Sequence, residues 1–349
     1  MGDKIAIMGP GAVGSFVGAH FVRDGEDVTF IDMWPEHVET MRSKGLRASS
    51  SYDDFTVQVK AMHLTEAQNI QELFDIAFIT VKSYDTEWAT HFIKRYVKPD
   101  GFFVSIQNCW NDPVIGEIVG PERALGSVAS HIEVALWEPG HVNRGGELGR
   151  DHGHVVFRVG EHNSQITPRS EKIAAMLDRI DAAYATDNLW GERWSKLCQN
   201  GMGNAISAMT AMGSQELAKD LRCLSIRIHL AKEGAKVGLA QGLDVVDVAG
   251  KPAQMWAEAD KGDVFEELND FLGERGGNVN WLASMAQDVK KGRRSEIDYM
   301  NGLICDKGRE VGIATPFHDA IVDAMHGIDD GSLKPDPSNV DRILRAVGR

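Results

Sequence analysis

Three glycines, Gly9, Gly11 and Gly14, stand at the spacing G-x-G-x-x-G inside the run G-P-G-A-V-G, and Asp32 follows them by about 20 residues. At that spacing the first glycine permits a tight turn, the second leaves room for a pyrophosphate to touch backbone, and the third allows close packing of helix on strand. With Ala12 and Val13 between the glycines, the loop would offer free N–H groups and the positive end of a helix dipole to a diphosphate. Asp32 is placed to accept hydrogen bonds from ribose hydroxyls and would repel a 2′-phosphate; alternatively it caps the turn before Pro35. Lys82 and Asn108 lie just beyond two apolar runs, as solvated turn residues or as ligands at the edge of a sheet. Lys196, Asn200 and Asn204 recur at i, i+4 and i+8 on one helical face, which either meets solvent or lines a polar cleft. Glu296 falls in the first turn of a later predicted helix, where the dipole favours its ionised form.

Periodicity names the elements that must position these groups. Lys4 to Met8 reads as a buried strand, Ala12 to Asp24 as a helix ended by Gly25, and Asp27 to Ile31 as a second strand. A helix is predicted from Pro35 to Lys44 and an irregular strand pair from Leu46 to Val59. Further strands follow at Phe74 to Val81, Phe102 to Ile106, Ala124 to Ser130 and Val155 to Gly160. Residues from Trp137 to His154 read as a long connection. Thr167 and Pro168 open another helix. Beyond about Ala185 the strand signal vanishes, and helices are predicted at 191–212, 215–241, 252–259, 278–291, 296–311 and 317–326, with Ser295 and Asp298 as a capping box. The fold class expected is an α/β N-terminal Rossmann domain, 1–185, plus an all-α C-terminal domain, 186–349.

Composition narrows the partners. A net charge of −14 argues against a nucleic-acid or anionic-membrane surface, both of which require a dominant basic field. No apolar run approaches membrane-spanning length and no charged-then-apolar leader is present. The four cysteines, Cys109, Cys198, Cys223 and Cys305, are scattered, which fits free thiols in a reducing cytoplasm. His131, His141, His152 and His154 lack both an H-x-x-x-H pair and a neighbouring cysteine, so no metal is expected. The expected partner is a small-molecule substrate, and a homodimer is compatible with the chain.

Several blocks together resemble the ketopantoate reductase (2-dehydropantoate 2-reductase) family. They are G-P-G-A-V-G, D-I-A-F-I-T-V-K at 75–82, Q-N at 107–108, W-x-K-L-x-x-N-x-x-x-N at 194–204 and S-M-x-Q-D-x-x-x-G-R-x-S-E-I-D-Y-x-N-G at 284–302. The resemblance implies an active site in a cleft between a Rossmann domain and a helical domain, and a cofactor of the NAD or NADP type. By position, Lys196 would be the general acid and Glu296 would hold the substrate hydroxyl. Asn108, Asn200, Asn204 and Ser284 would bind substrate, with Asn108 and Lys82 also near the cofactor. Three departures stand out. Met33 follows Asp32 where an arginine marks the NADPH users, so NAD is the expected cofactor over NADP. Cys109, with Trp110 next, replaces a glycine after Q-N. Ser214, in S-Q-E-L, takes the place of a substrate-binding asparagine.

The activity expected is hydride transfer between NAD(H) and a 2-oxo or 2-hydroxy acid, or a related ketone or secondary alcohol. An alkoxide left by hydride addition needs a proton donor within reach, and an ammonium also stabilises the developing charge. The nearest rival is a true 2-dehydropantoate 2-reductase of pantothenate synthesis. A non-catalytic NAD(H)-binding sensor is the rival of another class, and it would have no use for Lys196 and Glu296 together.

Overall fold

The computed structural model describes residues 2–275 and 280–349. Two compact units divide the chain, Met1–Leu189 and Trp190–Arg349. In the first, the elements run β1 (Lys4–Met8), α1 (Ala12–Arg23), β2 (Asp27–Asp32), α2 (Pro35–Lys44), β3 (Leu46–Ser49), β4 (Asp54–Val57) and β5 (Lys60–His63). There follow β6 (Phe74–Ile79), α3 (Thr86–Lys94), β7 (Val97–Ser105), α4 (Asp112–Val119), β8 (Ala124–Ala129), β9 (Glu133–Glu138), β10 (His141–Gly145), β11 (Phe157–Glu161), α5 (Pro168–Asp178) and β12 (Ala183–Thr186).

Eight of these strands form one sheet in the order β12-β11-β8-β7-β6-β1-β2-β5. It is parallel except where β11 meets β8. The chain leaves β1 for β2 on one side and returns as β6 on the other, so β1 stands at the topological switch point where open α/β sheets place ligands. Ile5, Ile7, Phe30, Ile76, Phe78 and Val104 are buried, as expected of strands covered on both faces.

Helix α1 packs closely on side chains of the sheet and of the loop after β6. A Cβ at Gly14 would collide with the Thr80 hydroxyl, and one at Gly18 with the Phe30 ring. Glycine at both positions is therefore a packing requirement, and it brings the helix N-terminus directly over the strand ends.

A second, four-stranded sheet, β4-β3-β10-β9, covers the other side of α1. This corrects the expectation of a long connection over 137–154. The hairpin β9–β10 turns at Gly140, with φ of 73°, and β10 pairs in parallel with β3. Strand β10 is polar, H-V-N-R-G, so no local hydrophobic alternation announces it, whereas β9, E-V-A-L-W-E, has an apolar centre that the expectation passed over. The sheet is held by long-range partners, including the buried Arg144 guanidinium bonded to the equally buried Asp181. The last predicted strand starts two residues late, and β12 had no prediction.

The second unit is helical: α6 (Leu189–Gly201), α7 (Asn204–Thr210), α8 (Ser214–Leu217), α9 (Leu221–Ala240), α10 (Ala253–Ala257), α11 (Val264–Gly273), α12 (Ser284–Lys290), α13 (Leu303–Val311), α14 (Pro316–Asp329) and α15 (Asn339–Ala346). A π-helical turn, Asp298–Gly302, leads into α13. Two long predicted helices are broken. The run 191–212 divides at Met202 and Gly203, and 215–241 divides where Asp220 caps α9 through its carboxylate. Of the run 278–291, the first two residues lie outside the described ones, and the helix itself starts at Ser284. Among the described residues no helix is long and apolar enough to cross a membrane.

Candidate active site

The glycine loop forms at the carboxyl end of β1 and is held from both sides. Gly9 has φ of 77°, and a Cβ there would collide with Val81. Its N–H donates to Ile31 O (2.9 Å), and the Thr80 hydroxyl is shared between Met8 O (3.0 Å) and Gly9 O (2.7 Å). His37, fully buried, reaches Pro10 O through Nε2 (3.1 Å) and accepts the Gly140 N–H at Nδ1 (2.9 Å). Gly11 differs from its neighbours: a Cβ there would meet nothing nearer than Gly9 O at 3.9 Å. The missing side chain thus leaves open space over the loop, where a phosphate could approach backbone. The first helical bond is Ser15 N–H to Gly11 O (2.9 Å), so the N–H groups of Ala12, Val13 and Gly14 precede the helical ladder. Open space plus leading N–H groups fits a dinucleotide diphosphate.

Asp32 ends β2, and its Oδ1 accepts the N–H of Met33 (2.7 Å) and of Trp34 (3.3 Å). It therefore caps the turn, and because a carboxylate accepts several bonds this leaves it capacity to accept further donors. Of Arg42, Lys44 and Arg47, the cations that follow it in the chain, the two arginines are engaged. Arg42 bonds Ala61 O (2.8 Å), Glu39 (2.9 Å) and Glu66, and Arg47 holds Asp54 (2.6 Å). Both arginines are held strongly protonated, above their ordinary range, by side-chain hydrogen bonds to these carboxylates.

Lys82 and Asn108 lie on loops following β6 and β7, two strands parallel and adjacent in the sheet, so both stand at the edge that carries the glycine loop. Both are half-buried. Two residues to which the sequence assigned no role, Gln107 of the Q-N block and Asn111, brace these loops together. Gln107 Nε2 donates to Val81 O (2.7 Å) and Thr86 Oγ1 (2.8 Å); Asn111 Nδ2 donates to Ser83 Oγ (3.0 Å) and Asn108 O (2.8 Å). Their signal was present in the spacing, since carboxamides at 107, 108 and 111 follow one strand end. Cys109, buried between them, has φ of 67°, a conformation that suits glycine and costs a side-chain-bearing residue about 1–2 kcal/mol.

In the helical unit, α6 is fixed by Trp194, whose Nε1 donates to Gly234 O (2.9 Å) and whose ring occupies the space a Cβ at Gly238 would need. Ser195 Oγ donates to Asp247 O (2.6 Å). With those residues anchored, Lys196 and Asn200 share a face of α6, Lys196 half-buried and Asn200 buried. Asn204 does not continue that helix: it opens α7 after the break, and its Nδ2 donates to Ser284 Oγ (3.3 Å) at the start of α12. The two proposed substrate ligands Asn204 and Ser284 are thereby brought together.

Glu296 is buried, and it precedes its helix instead of standing in the first turn. Its carbonyl accepts the N–H groups of Tyr299 and Met300 (both 3.1 Å). Ser295 forms no capping box with Asp298; its N–H and Oγ both bond the Asp329 carboxylate (3.1 and 2.7 Å). Ser214 also has a structural commitment. Its Oγ accepts the Trp281 N–H (3.1 Å) while its own N–H donates to Trp281 O (2.9 Å). Among the described residues no group of three metal-ligating side chains converges.

A family model described as ketopantoate reductase PanE/ApbA matches residues 5–154, and its C-terminal counterpart matches residues 188–329. The 2-dehydropantoate 2-reductase of Archaeoglobus fulgidus is 27% identical over 340 residues, covering 94% of this chain and 99% of that protein. A PanE/ApbA family ketopantoate reductase from Ralstonia eutropha superposes with a TM-score of 0.76 at 26% identity, over 94% of this chain and 99% of that one. D-mandelate dehydrogenase, solved with NADH and anilino(oxo)acetate, shares the fold at a TM-score of 0.78 and 24% identity, over the same shares of the two chains. With both halves matched in order, the chain belongs to the ketopantoate reductase family.

Proposed function

We propose that this family member is a nicotinamide-dependent oxidoreductase that interconverts a 2-oxo acid, or a related ketone, with the corresponding secondary alcohol, preferring NAD(H) to NADP(H). The observation that carries this is the pairing of an open, N–H-lined glycine loop with a separate helical unit bearing Lys196, Asn200, Asn204, Ser284 and Glu296. When bound, the cofactor supplies or accepts a hydride. Lys196 Nζ would give a proton to the oxygen of a ketone as charge develops there, and would take it back in the reverse direction. Asn200, Asn204 and Ser284 would orient carbonyl and carboxylate without adding charge, and Glu296 would hold the hydroxyl. On the cofactor side Gly9, Gly11, Ala12, Val13 and Gly14 would cradle the diphosphate, Asp32 would take the ribose hydroxyls, and Lys82 and Asn108 would lie at the reacting end. The NAD preference draws support from Asp32 and from the engagement of Arg42 and Arg47 with carboxylates.

Replacing Lys196 by alanine tests the assignment. We expect cofactor affinity nearly unchanged and kcat lowered by about 10²–10⁴, the range for losing a general acid. Retention of more than about a tenth of wild-type kcat would remove Lys196 from that role.

A true 2-dehydropantoate 2-reductase is the second reading, favoured by the name of the archaeal relative. Against it stand Cys109 in a glycine-like conformation beside Asn108, and Ser214 already bonded to Trp281. One lost hydrogen bond to a charged substrate costs about 1.5–3 kcal/mol. A panel of 2-oxo acids and aryl ketones with NADH, followed at the nicotinamide absorbance, decides. Bulkier substrates should exceed ketopantoate in kcat/KM, and a tenfold or greater advantage for ketopantoate would restore the pantothenate role. A homodimer is proposed as the assembly, to be read by light scattering, and a cytoplasmic setting is proposed from the free thiols.

A further inference from the structure

We propose that Asn301 is a positioning residue for proton transfer, setting the register between the helix that carries Lys196 and Asn200 and the turn that follows Glu296. The inference rests on the assignment of Lys196 and Glu296 to catalysis.

Asn301 is fully buried in the π-helical turn Asp298–Gly302. Its Nδ2 donates to Gly201 O (2.9 Å), the last residue of α6 and the neighbour of Asn200, and also to His318 Nδ1 (3.0 Å). His318 in turn meets Leu230 O through Nε2 (3.0 Å). A ring nitrogen facing an N–H donor must accept, and one facing a carbonyl must donate, so His318 is the neutral Nε2–H tautomer. Burial pushes its pKa down to about 4, which keeps that tautomer at neutral pH. His318 is itself held by its backbone N–H, which donates to the Glu233 carboxylate (3.1 Å), as does that of Phe317 (3.1 Å). A chain of specific bonds thus runs from α9 through α14 and Asn301 to the end of α6.

Two features mark this chain as more than packing. Asn301 Oδ1 is buried with no hydrogen-bond partner among the described residues, an arrangement that stability alone disfavours. A π turn adds a residue to the helical register, which re-aims what precedes it, and such turns recur at functional sites. Here the preceding residue in question is Glu296, whose carbonyl accepts the N–H groups of Tyr299 and Met300 within the turn.

The experiment uses the full-length enzyme with NADH. Asn301→Asp keeps the shape and, when ionised, cannot donate to Gly201 O. We expect kcat to fall about 10–100-fold, the pH profile of kcat to shift, and NADH affinity by fluorescence titration to stay within about twofold. Gly201→Ala is the second variant, in case the first folds poorly. Its Cβ would meet Ile304 Cδ1 at 3.3 Å and His318 Cε1 at 3.5 Å, nudging α6 without removing any polar group. It should shift the pH profile in the same direction, with a smaller loss in kcat. A lowered melting temperature with kcat and pH profile unchanged in both variants would reduce Asn301 to a structural residue. If Lys196→Ala is inactive while both variants keep the wild-type profile, this inference alone fails. If Lys196→Ala stays active, the catalytic assignment falls and this inference with it.

Discussion

Asp32→Asn isolates one charge. In the native turn Asp32 Oδ1 accepts two backbone N–H groups, from Met33 at 2.7 Å and Trp34 at 3.3 Å. Asparagine retains an oxygen for both, so the turn should survive and stability should change by less than about 1 kcal/mol. What disappears is the anion. Charge-assisted hydrogen bonds to ribose hydroxyls are worth about 1.5–3 kcal/mol, and about 1.4 kcal/mol is a factor of ten, so kcat/KM with NADH should fall about 10–100-fold. With NADPH the change runs the other way, because a like-charge contact with the 2′-phosphate is relieved. For Arg42 or Arg47 to meet that phosphate, each would first have to leave an exposed carboxylate it already holds. Steady-state assays with both cofactors, on protein of matched melting temperature, give the ratio directly. An NADH-to-NADPH preference that is tenfold or more in the wild type and unmoved in Asp32→Asn would leave Asp32 as a turn cap alone.

The loop glycines should separate by function. Gly14→Ala and Gly9→Ala force a Cβ into Thr80 and Val81, and should cost about 1–3 kcal/mol of stability, whereas Gly11→Ala should leave the melting temperature near wild type yet weaken NADH binding at least about tenfold. Loss of stability in Gly11→Ala, or intact binding, would contradict the cradle. Acid stability provides another test. Burial lowers His20, His229 and His318 from 6.5 to about 4, so each contributes stability that is complete above pH 6.5 and lost as pH falls toward 4, up to about 3 kcal/mol apiece. Burial raises Glu233 from 4.5 to about 7, with the opposite sign: its contribution is complete below pH 4.5 and lost as pH rises through 7. The net expectation is a fall in denaturation free energy below pH 6.5, less steep in His229→Phe, whose ring nitrogens have no partner among the described residues and whose ring stacks on Phe317 at 4.4 Å. An acid limb of unchanged slope in that variant would refute the assignment to His229.

The strand edge proposed to take the cofactor was legible as structure because its determinants are local. Gly9, Gly11 and Gly14 follow one strand and open one helix, Asp32 ends β2, and Lys82 and Asn108 lie on the loops that follow the apolar strands β6 and β7. The second sheet was legible only in part: the strand pair expected over Leu46 to Val59 is β3–β4, but β10 was not foreseen, because Val142 and Asn143 pair with Ala48 and Ser49 across a long stretch of chain, and such pairing leaves no trace in a short window. The break between α6 and α7 had a signal in Gly201 and Gly203, outweighed by the apolar periodicity around it. The π turn had none. Its extra residue is set by the bonds of Asn301 to Gly201 and His318, which are tertiary.

His37 ties the glycine loop at Pro10 to the β9–β10 turn at Gly140, a residue 103 positions beyond His37 itself. That single imidazole links the glycine loop and the distant hairpin mechanically. A minimal nucleotide-binding fragment cut after β8 would therefore lose the far support of its own ligand loop, and grafting the G-P-G-A-V-G strand–helix pair into another scaffold would carry over the motif without its brace. Modularity in this half of the molecule stops at β12, well beyond the first strands that carry the recognisable motif.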